Sequence, residues 1–269
     1  MHQAAPDTWI LRQSKAVNYE GPFLYLLAGT DCAILFDTGA TAEAERLPLR
    51  STVDQLIGPQ TSLIVAHTHA HRDHVAADGQ FELRPNTIVL GHRAAEVAAF
   101  FEIVDWPYQA GTFELGGRLL EVLGIPGHEA SSIAVYDPAT RLLLTGDTVY
   151  PGRLYVKDMP AFSSSLDRLV AFAERRPVSH VLGCHIEMTS WPGRDYPLGT
   201  DYQPDEAPLP MTVAQLAAVR DAAVAISDRP GAHQFDDFAI FNGPCRAAFA
   251  RQSARYYLAT GRRRLSRRR

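Results

Sequence analysis

With 269 residues, 46% of them hydrophobic and 21% charged, the chain has the composition of an ordinary globular protein able to bury a core, as one large domain or two small ones. Its formal charge of −4 is unevenly spread, because six of the 26 basic residues fall in positions 261–269, and the acidic remainder argues against a broad nucleic-acid footprint. No apolar stretch is long enough to span a bilayer, and the N-terminus carries neither the basic start nor the apolar run of a signal peptide.

Residues 23–27, the turn Ala28-Gly29-Thr30-Asp31 and residues 32–36 read as a β-hairpin that runs into Asp37-Thr38-Gly39. A helix within 43–57 is interrupted or started late by Pro48. Residues 63–66 form a strand, 87–90 another, and 93–102 a helix. Between 112–115 and 118–123, Gly116-Gly117 supplies the positive φ of a tight hairpin turn. A further hairpin, 133–136 with 141–144, runs into Gly146-Asp147-Thr148. Ser163-Ser164-Ser165 is placed to cap a helix reaching about residue 176, with Leu166, Leu169, Val170 and Ala173 on one face. Residues 178–183 are then a strand ending at Cys184-His185. A loop over 191–210, rich in Pro, Gly, Tyr and Asp, precedes a helix over 211–226, a strand over 235–241 and a helix over 245–258. The order hairpin, Asp-Thr, helix, strand, His thus occurs twice. It predicts two facing sheets with helices outside and ligands gathered at one shared edge.

Where the strand 63–66 runs out, residues 68–74 read Thr-His-Ala-His-Arg-Asp-His, three imidazoles and a carboxylate within six residues. Packing does not explain that spacing, and a loop held by a strand and open on one side suits a metal site. His69 and His71 can reach one metal while Asp73 and His74 reach another beside it, as in dinuclear hydrolytic centres. Polar residues beside glycine at other strand ends are the candidates to complete both sets: His128, Asp147 and His185.

The run His69-x-His71-x-Asp73-His74, followed in order by His128, Asp147 and His185, resembles the metallo-β-lactamase fold superfamily of metal-dependent hydrolases. Asp37 in Phe-Asp-Thr-Gly matches that family's first motif, and the resemblance covers roughly residues 20–190. It implies an α/β fold, a four-layer αββα sandwich of two facing mixed β-sheets with helices outside, in agreement with the half-repeat. It implies that His69, His71 and His128 hold one metal and that Asp73, His74 and His185 hold the other. Asp147 would bridge the two, and Asp37 would orient ligands from behind. A bridging aspartate resembles glyoxalase II and the lactonases and differs from the β-lactamases proper. Tyr150 stands where similar lactonases place a tyrosine that donates to the substrate carbonyl. The implied catalytic residues are thus Asp73, Asp147 and Tyr150, and the implied cofactors are two divalent metal ions, zinc before iron or manganese.

The function expected is a dinuclear metallo-hydrolase that uses a metal-bound hydroxide on a small ester, thioester, lactone or lactam. The alternatives are an iron-dependent persulfide dioxygenase-like oxidoreductase and, with only the arginine tail in its favour, a nucleic-acid phosphodiesterase. Three scattered cysteines (Cys32, Cys184, Cys245) without a Cys-x-x-Cys point to a reducing compartment, the cytoplasm by default. Residues 1–260 are expected to form a single domain, with 191–210 a lid carrying Trp191, Tyr196 and Tyr202. Residues 211–260 then complete the fold as helix-strand-helix, and 261–269 form a disordered tail. His67 is read as packing or hydrogen-bonding near the strand end and Cys184 as a small buried residue, while His92, His180 and His233 have no assigned role. Trp106-Pro107-Tyr108 is either cleft lining or loop packing. Arg153, Tyr155 and Lys157 are candidates to face an anionic substrate.

Overall fold

The computed structural model describes the backbone of residues 1–266 and the side chains of residues 1–258. In chain order the first half contains β1 (His2–Ala5), β2 (Thr8–Arg12), β3 (Phe23–Ala28), β4 (Ala33–Phe36), α1 (Leu49–Ile57), β5 (Leu63–Ala66), α2 (Arg72–Val75), a 3-10 turn (Asp78–Gln80), β6 (Thr87–Val89), α3 (Ala94–Phe100), β7 (Ala110–Glu114) and β8 (Leu119–Gly124). The second half contains β9 (Ile133–Asp137), β10 (Leu142–Gly146), β11 (Arg153–Val156), α4 (Met159–Glu174), β12 (His180–Gly183), β13 (Pro210–Met211), α5 (Val213–Ala225), β14 (Gly231–Gln234), β15 (Ala239–Asn242) and α6 (Arg246–Ser266). Among the described residues no helix is long and apolar enough to cross a membrane.

The layers follow from side-chain alternation along the strands. In β4, Ile34 and Phe36 enter a core shared by both sheets, while Ala33 and Leu35 meet Leu49 and Val53 of α1. β5 divides the same way, Ile64 and Ala66 inward, Leu63 and Val65 toward α1. Opposite them, Ile133 and Val135 of β9 face the shared core, and Ala134 and Tyr136 meet Phe162, Leu166 and Leu169 of α4. One six-stranded sheet has the order β1-β2-β3-β4-β5-β6 and the other β13-β12-β10-β9-β8-β7. Each mixes parallel with antiparallel pairs, so the architecture is the αββα sandwich expected. α3 departs from that scheme: its Val97, and Phe101 just past its end, lie in the shared core, so this helix closes one end of it.

The half-repeat is realised strand by strand. β3 and β4 are antiparallel, and α1 carries the chain to β5, parallel to β4. β9 and β10 are antiparallel, and α4 carries the chain to β12, parallel to β10. Asp37, the 67–74 run, Asp147 and His185 therefore all follow the carboxyl ends of parallel strands, the end at which open α/β sheets gather ligands.

Four local expectations change. α4 starts at Met159, not at the serines, because Asp158 accepts from Ala161 N–H and a proline occupies the first turn; Ser165 is buried and donates to the Pro126 carbonyl. The strand expected over 235–241 is a hairpin, β14 and β15, turning through residues 235–238 where Asp236-Asp237 favours a turn. β15 pairs in parallel with β11, making a third sheet, β11-β15-β14, that the sequence did not suggest. Finally, α6 carries helical backbone to Ser266, into the stretch expected to be disordered; residues 267–269 of that tail lie outside the described residues.

Candidate metal centre

The loop after β5 and the ends of β8, β10 and β12 bring the seven residues carried over as ligands into two adjoining groups. In the first, His69 Nε2, His71 Nδ1 and His128 Nε2 form a triangle with sides of 3.0, 3.0 and 3.3 Å. Ligand atoms bonded to one tetrahedral zinc at about 2.0 Å stand about 3.3 Å apart, so the triangle has the size of one face of such a shell. In the second, Asp73 Oδ2 lies 3.3 Å from both His74 Nε2 and His185 Nε2, which are 3.4 Å from each other. Asp147 spans the two groups. Its Oδ1 is 3.4 Å from His185 Nε2, and its Oδ2 is 3.5 Å from His74 Nε2, 3.8 Å from His128 Nε2 and 3.9 Å from His69 Nε2. Asp147 Oδ1 is buried without a hydrogen-bond partner, which is costly for a carboxylate unless a cation meets it. Imidazoles with carboxylates suit divalent ions of the zinc class, and the residues present fit them.

Four of the five rings are fixed from behind by a carboxylate, a carbonyl or a hydroxyl, leaving the other nitrogen for the centre. His74 Nδ1 contacts Asp37 Oδ2 at 2.9 Å, His128 Nδ1 the Tyr155 carbonyl at 2.7 Å, and His185 Nδ1 the Glu20 carbonyl at 3.1 Å. His69 Nδ1 meets the Thr68 hydroxyl at 3.1 Å, and that hydroxyl in turn donates to Asp37 Oδ2. Asp37 also accepts from Thr68 N–H and the Cys184 thiol, so one buried carboxylate orients ligands of both groups. It does so with φ at 70°, a left-handed conformation that costs a residue with a Cβ on the order of 1 kcal/mol. Burial pushes the Cys184 thiol well up, which keeps it a neutral donor. Gly127 is required by closeness: at φ 138° a Cβ there would lie 2.4 Å from the Phe162 Cα, where α4 packs beneath His128.

The two groups differ electrostatically. Burial is the main influence on the first, holding His69 and His128 below the usual imidazole range and His71 down to about 4. These rings are neutral at pH 7, the form that donates a lone pair. In the second group burial acts the same way but the Asp147 and Asp73 carboxylates outweigh it, raising His74 and lifting His185 to about 10. The same histidines keep Asp147 and Asp73 ionised against their burial.

A cavity of about 320 Å³ opens on His71, Asp73, Asp147 and His185. Its walls include Lys15, Tyr19, Tyr155, Leu198, Gln203 and Phe249. Lys15 and Tyr19 were not singled out from the sequence, since they lie in an irregular segment between β2 and β3 with no motif around them. Tyr150 lines the cavity and is buried, its hydroxyl donating to the Arg153 carbonyl at 2.5 Å and lying 3.3 Å from Glu187 Oε2. Arg153 lines the cavity but is paired with Glu187 and Asp195, and Lys157 Nζ lies 2.6 Å from His71 Nε2. Of the loop 191–210, Pro197, Leu198, Gly199 and Gln203 reach the cavity, whereas Trp191, Tyr196 and Tyr202 do not line it. Trp106 packs against the shared core and Tyr108 is exposed beneath Arg168, which makes that segment loop packing.

A family model described as the metallo-beta-lactamase superfamily matches residues 20–179. The chain belongs to that superfamily. Within it, the chain is similar to the hydroxyacylglutathione hydrolase of Mesorhizobium japonicum, 29% identical over 134 residues that make up 48% of this chain and 50% of that protein. The hydroxyacylglutathione hydrolase of a Synechococcus strain is 31% identical over 139 residues, 49% of this chain and 54% of that one. The chain thus spans about half the length of the curated relatives it matches. Among solved structures, ETHE1 from Myxococcus xanthus shares the superfamily fold with a TM-score of 0.52 at 20% identity, over 82% of this chain and 90% of that one. A double mutant of the sec-alkyl sulfatase PisA1 gives a TM-score of 0.56 at 15% identity, over 84% and 41%. At these identities the likeness concerns the fold alone.

Proposed function

We propose that the chain is a dinuclear metal-dependent hydrolase acting on a small ester, thioester, lactone or lactam that carries an anionic group. The observation that carries this reading is Asp147, whose two carboxylate oxygens reach both ligand groups. Within the substrate set, the hydroxyacylglutathione hydrolases among the relatives favour a thioester. Zinc is the preferred ion for both groups. When bound, the ions supply an acidified water and a charge that polarises a carbonyl. The chain's own residues do the rest. Asp73 is ionised and lines the cavity, placed to hold a proton of that water. Tyr155, Leu198 and Phe249 exclude solvent from the bound substrate. Residues 1–260 act as one domain in this reading, because β15 pairs with β11, which lies between Asp147 and α4.

The test is a panel of lactones, thioesters, β-lactams and phosphodiesters, with metal content measured on the same sample. We expect thioester turnover with at least two divalent equivalents, and His71→Ala should abolish it without unfolding the protein. A single iron with oxygen consumption on a thiol persulfide, or full activity in His71→Ala, overturns the reading.

Lys15 is the residue assigned to the substrate's anion. Two of its donors go to the Tyr19 and Glu20 carbonyls, and an ammonium has three. Burial, aided by the neighbouring Arg12 charge, lowers it to about 8. It is therefore charged below that pH and neutral above it, so affinity for an anionic substrate should fall as pH rises through 8. KM is expected to rise about tenfold between pH 7 and 9.5, the contribution of one charge-assisted hydrogen bond. Lys15→Met should start from the higher KM and show no such step; an unchanged step in the variant assigns it to another group.

A further inference from the structure

A second cluster of metal-ligating side chains lies outside the cavity. His67 follows β5, Asp78 opens the 3-10 turn, and His92 follows β6; each offers one ligand atom, all within 4.8 Å of one another. We infer that His67, Asp78 and His92 form a separate cation site, which takes one divalent ion of the zinc class.

Three observations carry it. His67 is 3% exposed, yet neither of its ring nitrogens has a hydrogen-bond partner, although Nε2 lies 3.3 Å from Asp78 Oδ2. A buried imidazole is normally satisfied by a donor or acceptor, and a carboxylate oxygen this close without hydrogen-bond alignment is what two ligands of one ion present. The spacing agrees: Asp78 Oδ2 lies 3.3 Å from His67 Nε2 and, hydrogen-bonded, 2.9 Å from His92 Nε2, against about 3.3 Å between ligands of a tetrahedral zinc. The carboxylate is also oriented from behind, since Asp78 Oδ1 accepts from the Thr38 hydroxyl at 2.7 Å.

The donor set selects the ion. Two imidazoles and one carboxylate suit zinc, cobalt, iron or manganese rather than calcium or magnesium, which take oxygen ligands. Three protein ligands leave a position for water, and His92, with its side chain 37% exposed, gives the ion its way in. None of the three residues lines the cavity, so the ion would not touch substrate. Its place is structural. It would tie the start of the histidine run to two distant segments, and through Thr38, whose N–H donates to the His74 carbonyl at 2.7 Å, it would brace the second ligand group.

Equilibrium dialysis of the full chain against micromolar Zn²⁺ tests this, comparing the wild type with His92→Ala and Asp78→Asn. His92 is exposed enough for its removal to leave the fold intact, which circular dichroism checks. We expect each variant to hold one equivalent fewer than the wild type and to lose the part of the zinc-dependent rise in Tm that this ion supplies. His92→Ala should keep its turnover once the catalytic groups are loaded. Equal zinc equivalents in wild type and both variants would show a purely hydrogen-bonded cluster. A lost equivalent accompanied by lost turnover at saturating metal would place the ion in the catalytic centre instead. Either result overturns the inference.

Discussion

Asp147→Asn is expected to lose at least one catalytic metal equivalent and more than about 100-fold in kcat/KM. Residues that only orient a ligand from behind cost 10- to 100-fold when replaced, by general experience, and Asp147 is in the centre itself. Asparagine keeps the size and the buried position but removes the negative charge. Four imidazole nitrogens, those of His69, His74, His128 and His185, lie 3.4 to 3.9 Å from its oxygens. Without the carboxylate, two cations would be held close together with no anion between them. Metal analysis and steady-state kinetics on one preparation decide the matter. The wild-type number of equivalents retained with near-normal turnover would show that the groups act independently and that Asp147 merely packs between them.

The second large effect concerns stability and lies at the opposite edge of the sandwich. Arg118, 7% exposed, donates to both Asp137 oxygens at 3.2 and 2.5 Å, to the Asp7 and Ala28 carbonyls, and to the Thr8 hydroxyl. Asp7, Thr8 and Ala28 belong to the first sheet and its turns, Asp137 to the second, so one guanidinium holds the two sheets together. Arg118→Ala leaves a carboxylate that is 1% exposed without its cation and takes a donor from the Ala28 carbonyl and the Thr8 hydroxyl, while the Asp7 carbonyl keeps the Ala28 N–H. Loss of one partner from a buried pair costs about 3–5 kcal/mol. Burial works against ionisation of Asp137, and Arg118 with Thr140 outweighs it to hold the carboxyl below its usual range. The stabilisation from that pairing is therefore present at neutral pH and fades as pH falls through the folded-state value. Urea unfolding at pH 7 should show the full loss, a smaller loss in Arg118→Lys, and partial recovery in the double variant Arg118→Met/Asp137→Leu. A loss under about 1 kcal/mol in Arg118→Ala would mean that water replaces the guanidinium.

The parts of this molecule legible in its sequence are those whose information is local. The 68–74 run follows its strand directly, and both halves repeat the same order of hairpin, helix and strand, so the sandwich and the two ligand groups could be read together. Gly116 and Gly117 have φ of 93° and 68°, as their hairpin requires. What escaped reading depends on distant partners. β11 is four residues whose pairing partner, β15, lies some eighty positions on, and no periodicity announces a parallel pair across that gap. Lys15 and Tyr19 enter the cavity from a segment without regular structure, so only the folded chain places them beside Asp73 and His71. Tyr150 lines the cavity at a position that resembles a donor's, and its hydroxyl hydrogen-bonds the Arg153 carbonyl, a partner that no motif encodes. His67, read only as a structural residue at its strand end, and His92, without an assigned role, acquire a shared partner only when the 3-10 turn brings Asp78 between them.

The cavity's composition has an evolutionary corollary. Every residue carried over as a ligand falls between His69 and His185, whereas Lys15, Tyr19, Leu198, Gln203 and Phe249 come from before or after that span. Apart from Tyr150, Arg153 and Tyr155, which line the cavity from within that span, the ligands and the remaining cavity walls therefore lie on separate stretches of one polypeptide. Exchanging these flanks with those of a homologue is therefore expected to change substrate preference while leaving the metal ligands in place.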